Sequence, residues 1–285
     1  MKHLLKLPLC ALAFAMTANT GFAQSSATGL KDAYKDYFSI GVAVNMQNIT
    51  NPEQIAIIKK DFNSITAEND MKPQPTEPAY GQFNWENADK IANFCRSNGI
   101  KLRGHCLMWH AQIGKWMYQD EKGNLVSKEK LFQNMKHHIT AIMERYKDVV
   151  YAWDVVNEAI SDGGRPVMGQ KPSPYRNSPL YQIAGEFIKK AFIYAREADP
   201  NVLLFYNDYN AADPQKRDRI YNMVKSMKEE GVPIDGIGMQ GHYNIYGPSM
   251  EDVDAALTKY STIVKHIHIT ELDIRANEEM GGHLN

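Results

Sequence analysis

Residues 149–158 read VVYAWDVVNE, and residues 266–274 read HIHITELDI. Both stretches open in β-branched and aromatic side chains and end in carboxylates and amides. A parallel strand buried on both faces should be apolar through its middle. Polar residues gathered at the C-terminal ends of such strands are what the active-site rim of a parallel barrel requires. Five more runs share this form: 38–45 (FSIGVAVN), 64–70 (SITAEND), 101–110 (KLRGHCLMWH), 202–210 (VLLFYNDYN) and 236–243 (GIGMQGHY). Seven strands are therefore expected.

Helical stretches lie between these runs, and their ends carry local signals. Asn51-Pro52-Glu53 supplies an N-cap, a proline at the first helical position and an acid in the first turn. Ser178-Pro179 and Asp213-Pro214 repeat the cap-then-proline pattern, while Gly99 and Gly231 stand where helices should stop. Strand and helix in strict alternation predict a parallel sheet and an α/β class. An open doubly wound sheet is the alternative, but no glycine-rich phosphate loop follows the first strand. The expected fold is a (β/α)8 TIM barrel with seven strands evident. About 11 residues follow Ile274, whereas another helix and an eighth strand need roughly 30. The expectation is a barrel that stops short of closure, with two unpaired sheet edges, poor solubility and slow turnover.

Length and composition agree with one domain. The chain has 285 residues, 44% of them hydrophobic and 23% charged. That composition excludes disorder, collagen-like repeats and coiled coil. The first 23 residues read as an export signal. Lys2 and Lys6 form a basic head, LPLCALAFAM at 7–16 is too short to cross a bilayer, and Gly21-Phe22-Ala23 offers a cleavage site. Cys10 lies mid-run after Leu9, which argues against a lipoprotein. Residues 24–285 are then one catalytic barrel, C-terminally incomplete. No later stretch reaches 18 apolar residues, so no membrane span is expected after cleavage, and the protein should be secreted to the periplasm or beyond. The formal charge is −1 and about −3 without the signal. No basic patch points to nucleic acid. Three cysteines exclude a disulfide scaffold, and Cys95 and Cys106 read as buried free thiols.

Chemistry concentrates at the strand ends. WDVVNE carries Asp154 and Glu158, and ITELDI carries Glu271 and Asp273. Burying a carboxylate is costly unless it is paired or hydrogen-bonded. For any one of them a structural ion pair to a neighbouring strand is as good a reading as catalysis. The same rim, however, also holds Glu68, Asn69, Lys72, His105, Trp109, His110, Gln240 and His242, which favours a site.

Seven segments run in order along nearly the whole mature chain: AENDMKP (67–73), FNWENAD (83–89), KLRGHCLMWH (101–110), WDVVNE (153–158), NDYN (207–210), GIGMQGHY (236–243) and HITELDI (268–274). On these segments the chain resembles the family 10 glycoside hydrolases, which are retaining endo-β-1,4-xylanases built on a (β/α)8 barrel. The resemblance implies that Glu158 is the general acid/base and Glu271 the nucleophile. It implies that Asn157 binds the 2-hydroxyl of the sugar in the −1 subsite and that His242 holds Glu271, with Asp273 and His110 behind. Glu68, Asn69 and Lys72 would line the −2 and −1 subsites, and His105, Trp109 and Gln240 would complete −1. Tyr209 and Asn210 would serve the leaving-group side. The implied substrate is xylan or xylo-oligosaccharides, with no cofactor and no metal, acted on by a monomer. Pro73 stands where the family often has a bulky aromatic, and no tryptophan follows Trp153 to roof the site.

The residues themselves fit that chemistry. Retention needs two carboxyls about 5–5.5 Å apart, one attacking carbon and one protonating the leaving oxygen. Like-charge repulsion from an ionised nucleophile keeps the acid protonated until the nucleophile is esterified. Lys72 and the histidines are expected to keep Glu271 ionised. A β-1,4-glucan hydrolase on the same scaffold, or an inactive glycan-binding fragment, are the alternatives that fold and carboxylates alone leave open. His137 and His138, on a helix expected over 128–147, lack an HExxH partner for a metal. Met108, Met117, Met135 and Met143 read as packing residues.

Overall fold

The computed structural model describes residues 28–163 and 173–276. The export-signal reading of residues 1–23 lies outside them. Among the described residues nine strands form: β1 (Gly41–Val44), β2 (Ser64–Ala67), β3 (Lys101–Trp109), β4 (Val150–Asn157), β5 (Leu203–Asp208), β6 (Gly236–Met239), β7 (His242–Asn244), β8 (His266–Ile269) and β9 (Asp273–Arg275). Seven of them make one sheet in the order β1-β2-β3-β4-β5-β6-β8, every pair parallel. β7 and β9 form a short parallel extension beyond β6 and β8.

The sheet curls strongly. In a flat sheet β3 and β8 would lie four strand spacings, or about 19 Å, apart. Instead Arg103 on β3 donates from Nε to His268 Nδ1 on β8 at 3.4 Å. On the same concave side the hydroxyls of Ser64 on β2 and Tyr151 on β4 meet at 3.1 Å. This is the curvature of a (β/α)8 barrel carrying seven strands among the described residues. β3 to β6 are buried almost throughout, whereas β1 and β8, the two edges, are partly exposed.

The helices begin and end where the sequence signals stand. Asn51 accepts from the backbone N–H groups of Glu53 and Gln54 and opens the helix Pro52–Asp61. Ser178 and Asp213 cap Pro179–Ile183 and Pro214–Glu229 in the same way. Gly99 ends Glu86–Asn98 in the left-handed conformation (φ 63°), which a residue without Cβ adopts at little cost. The helix Lys128–Tyr146 carries His137 and His138, and both face one buried carboxylate. His138 Nδ1 lies 2.8 Å from Glu77 Oε2, and His137 Nε2 lies 3.2 Å from Glu77 Oε1. This histidine pair ties the helix to the chain that follows β2. Cys95 and Cys106 are free and buried, and the four methionines named above are core residues.

Packing between sheet and helices depends on small residues beside large ones. Gly104 on β3 pairs with Trp153 on β4, and the buried indole lies across it. A Cβ at position 104 would come within 2.2 Å of the Trp153 ring. Neither backbone nor indole can yield in a close-packed core without strain. Gly104→Ala is therefore expected to destabilise the fold by about 1–3 kcal/mol, read as a melting temperature lower by about 2–4 °C per kcal/mol. An unchanged melting temperature would show that the indole has room to move.

Candidate active site

The C-terminal ends of β4, β5, β6 and β8 meet in one hydrogen-bonded cluster. β4 delivers Asn157, which is buried, and then Glu158, which is half-buried. β5 delivers Asn207. Gln240 follows β6, and Glu271 follows β8. The sequence suggested continuous strands over 236–243 and 266–274, but each breaks just before its functional residue. The backbone remains in register across the breaks: Gln240 N–H bonds Asp208 O at 3.0 Å, and Glu271 N–H bonds Gln240 O at 2.8 Å. Gly241, with φ 82°, takes the turn between β6 and β7.

Asn207 is the centre of the cluster. Its Nδ2 donates to Glu271 Oε1 at 2.8 Å and to Asn157 Oδ1 at 3.0 Å. Its oxygen accepts from Thr270 Oγ1 at 2.7 Å. Gln240 Nε2 donates to Asn157 Oδ1 at 3.2 Å and to Glu158 Oε1 at 3.0 Å. The carboxylates of Glu158 and Glu271 are thus connected through three carboxamides. Room for Asn207 exists because its partner on β6 is Gly238, where a Cβ would come within 2.3 Å of Asn207 Oδ1.

Glu271 is held from its other side by histidine. His242 Nε2 lies 3.1 Å from Glu271 Oε2, and its Nδ1 meets Asp273. The Glu271 bond pushes the His242 ring up to about 9, against the opposing effect of partial burial and with help from Asp273. The ring is therefore a cation at neutral pH. Burial works against the Glu271 charge, but His242, the nearby His105 and the Asn207 amide outweigh it and hold the carboxyl below its ordinary range.

His105 belongs to a second buried group. Its Nδ1 lies 2.9 Å from Asp154 Oδ2, and Arg103 pairs with the same carboxylate. Burial opposes the Asp154 charge, yet Arg103 and His105 hold its carboxyl below the ordinary range. For Asp154 the structural reading of a strand carboxylate therefore holds. Burial, then Arg103, brings His268 down to about 4, so a neutral ring accepts the Arg103 N–H.

The remaining expected residues line the same rim. Lys72 donates to Asn69 Oδ1 at 2.8 Å and lies 4.8 Å over the Trp109 ring. Lys72 thus joins Asn69 to Trp109, while the contacts that hold Glu271 below its ordinary range come from His242, His105 and Asn207. Trp109 is the strand partner of Asn157, which joins this group to the carboxylates. Glu68 is exposed and accepts from Asn45 Nδ2 at 3.3 Å. His110 sits edge-on to Trp109, and burial, with Arg176, brings its ring down to about 4. Tyr209 accepts from Arg176 Nη2 at 2.7 Å. Asn210 is exposed in a left-handed turn (φ 51°), with its carbonyl accepting from Asp213.

Sequence reasoning missed the roles of Asn207, Arg103 and Arg176. Asn207 opens the NDYN segment, so its place at a strand end was a usable signal. Arg176 lies in a loop and had none.

The profile of glycosyl hydrolase family 10 matches residues 29–283. An endo-1,4-beta-xylanase/feruloyl esterase of Xylanibacter ruminicola is 56% identical over 294 residues, covering 100% of this chain and 40% of that protein. Endo-1,4-beta-xylanase B of Paenibacillus barcinonensis is 44% identical over 246 residues, covering 86% of this chain and 71% of that protein. A solved structure described as a psychrophilic glycoside hydrolase family 10 endo-beta-1,4-xylanase superposes with a TM-score of 0.86 at 70% identity, covering 90% of this chain and 78% of that one. The chain thus spans well under half of the Xylanibacter protein.

A group whose pKa rises on folding stabilises most below its unfolded value and loses that contribution as pH passes its folded value. For His242 the window runs from about 6.5 to about 9. The stability gap between wild type and His242→Gln should be full at pH 6 and shrink by pH 9.5 in thermal melts. A gap that is constant or grows with pH would contradict the charged ring.

Proposed function

The chain belongs to glycosyl hydrolase family 10, and from that premise we propose that it cleaves internal β-1,4-xylosidic bonds of xylan with retention of configuration. The observation that carries this reading is the amide-bridged pair Glu158 and Glu271 at the ends of β4 and β8. The two relatives above are named as endo-1,4-beta-xylanases, which favours xylan over glucan as the substrate.

In the first step Glu271 attacks the anomeric carbon of the −1 xylose. Glu158 gives its proton to the glycosidic oxygen as that bond breaks, and a glycosyl ester forms. The negative charge on Glu271 disappears into the ester, while His242 keeps Asp273 as its counter-ion. In the second step Glu158, now a carboxylate, takes a proton from water. The water oxygen attacks the same carbon from the face the leaving group vacated, and Glu271 departs. Asn157 holds the 2-hydroxyl, where hydrogen bonds that strengthen in the transition state are worth most. Gln240, His105, Asn69, Lys72 and Glu68 offer polar partners to the other hydroxyls of the −1 and −2 sugars. Trp109 offers a ring face to an apolar sugar face. Tyr209 and Asn210 act on the leaving-group side, and His110 and Asp273 support the groups in front of them. We also propose, on the strength of residues 1–23, that the mature enzyme works outside the cytoplasm, where its polymeric substrate lies.

Reducing-sugar release should be measurable on xylan, even if slow, and at background on carboxymethyl cellulose. Release from the cellulose derivative alone, or from neither polymer, would overturn the reading. Glu271→Ala should lose turnover below detection on both xylan and aryl xylosides, and azide should restore it with the α-xylosyl azide as product. A β-xylosyl azide from this variant would mean that the two carboxylates have exchanged roles.

A further inference from the structure

Glu158 has φ 58°. The left-handed region is uncommon for a side chain with a Cβ and persists only where the surroundings over-determine it. Two contacts fix both peptide groups of this residue. Its N–H donates to Asn207 O on the neighbouring strand at 2.9 Å. Its carbonyl accepts from Arg176 Nε at 2.9 Å. The Arg176 backbone N–H takes the next carbonyl, Ala159 O, at 2.8 Å. A single loop residue therefore captures two successive carbonyls at the point where the chain leaves β4.

Arg176 is itself held firmly. Its Nη2 donates to the Tyr209 hydroxyl at 2.7 Å, and that hydroxyl donates to Asp162. Lys216, which is buried, lies 3.3 Å over the Tyr209 ring and 2.8 Å from both Asp162 Oδ1 and Asp208 Oδ1. The returning segment is also paired to the outgoing one, through the Ile160–Tyr175 bridge and the bond from Ser161 N–H to Pro174 O at 2.9 Å. The guanidinium thus spans the loops that follow β4 and β5. A planar fork of fixed donors suits this task in a way that an ammonium does not.

We infer that Arg176 is a positioning residue for the general acid: by clamping the Glu158 carbonyl it holds the left-handed backbone that aims the Glu158 carboxyl at the leaving-group oxygen. This rests on the assignment of Glu158 as acid/base made above. Without the clamp the backbone relaxes towards an ordinary conformation, and the carboxyl swings away from Gln240 Nε2 and from the bond to be broken. Nucleophilic attack by Glu271, held by β5 and β7, does not depend on Arg176.

The distinguishing measurement is leaving-group dependence. A phenoxide leaving group needs the proton of the acid, whereas 2,4-dinitrophenoxide departs with little help. In the full chain, Arg176→Met should lower kcat/KM on phenyl β-xylobioside by about 10–100-fold, a part of what general acid catalysis supplies. On 2,4-dinitrophenyl β-xylobioside kcat/KM should fall by no more than about threefold, since that step makes little use of the acid. Arg176→Lys keeps the charge and a donor, so it should show the same selectivity at smaller size even where the methionine variant folds poorly. Equal losses on the two substrates, or no loss on the phenyl substrate, would overturn the proposal. Glu158→Ala serves as the reference. If it shows the selectivity and the Arg176 variants do not, only the clamp is wrong; if it too lacks the selectivity, the acid/base assignment falls and the clamp with it.

Discussion

The Asn207 carboxamide commits both its N–H groups and its oxygen in one place: one N–H on Glu271, the other on Asn157, and its oxygen on Thr270. It is fully buried, so each of those bonds is obligatory, because an unpaired buried polar group costs about 1–3 kcal/mol. That requirement fixes which way the amide points. The amide in turn fixes Asn157, then Gln240, then Glu158. Loss of this single side chain would leave two strand ends without the link that holds their carboxylates in one frame. Gly238 is part of the same constraint, since only a glycine on the neighbouring strand leaves space for Asn207.

Charge is handled by the same rule at every level of the barrel. Deep inside, Asp154 is answered by Arg103 and His105. Nearer the rim, Glu271 is answered by a His242 cation that Asp273 supports from behind. At the ends of β4 and β5, Asp208 and Asp162 share Lys216. Burial pushes Asp208 up to about 6 even with that lysine beside it. Interior charges of this kind add little net stability, because desolvation consumes most of their attraction. Their value here is orientation: each pair fixes a side chain that a neighbouring strand then uses.

Much of this was legible in the sequence. Strands showed themselves because apolar runs ended in polar residues, and all seven form in the expected chain order. Helix starts at Asn51, Ser178 and Asp213 were readable because capping is a local interaction among adjacent residues. The rim residues were readable because their segments have specific spacing. What escaped was set by distance in space. Arg176 is one cation in a loop, and its meaning depends on where the chain turns after Glu158. Arg103 and Asp154 become a buried pair only once β3 and β4 lie side by side. The breaks at Gln240-Gly241 and before Glu271 escaped because hydrophobic alternation does not register a turn of two or three residues within a run. The Lys72 contacts with Asn69 and Trp109 also depend on which strand ends come together.

In the proposed mechanism Glu271 forms a covalent ester that Glu158 then opens. The most direct test is proton NMR of the first product released from an aryl β-xylobioside, read before mutarotation. The β-anomer appearing first, with the α-anomer following at the rate of spontaneous equilibration, is the predicted result. The α-anomer appearing first would mean a single displacement by water, and would contradict the assignment of Glu271 as nucleophile.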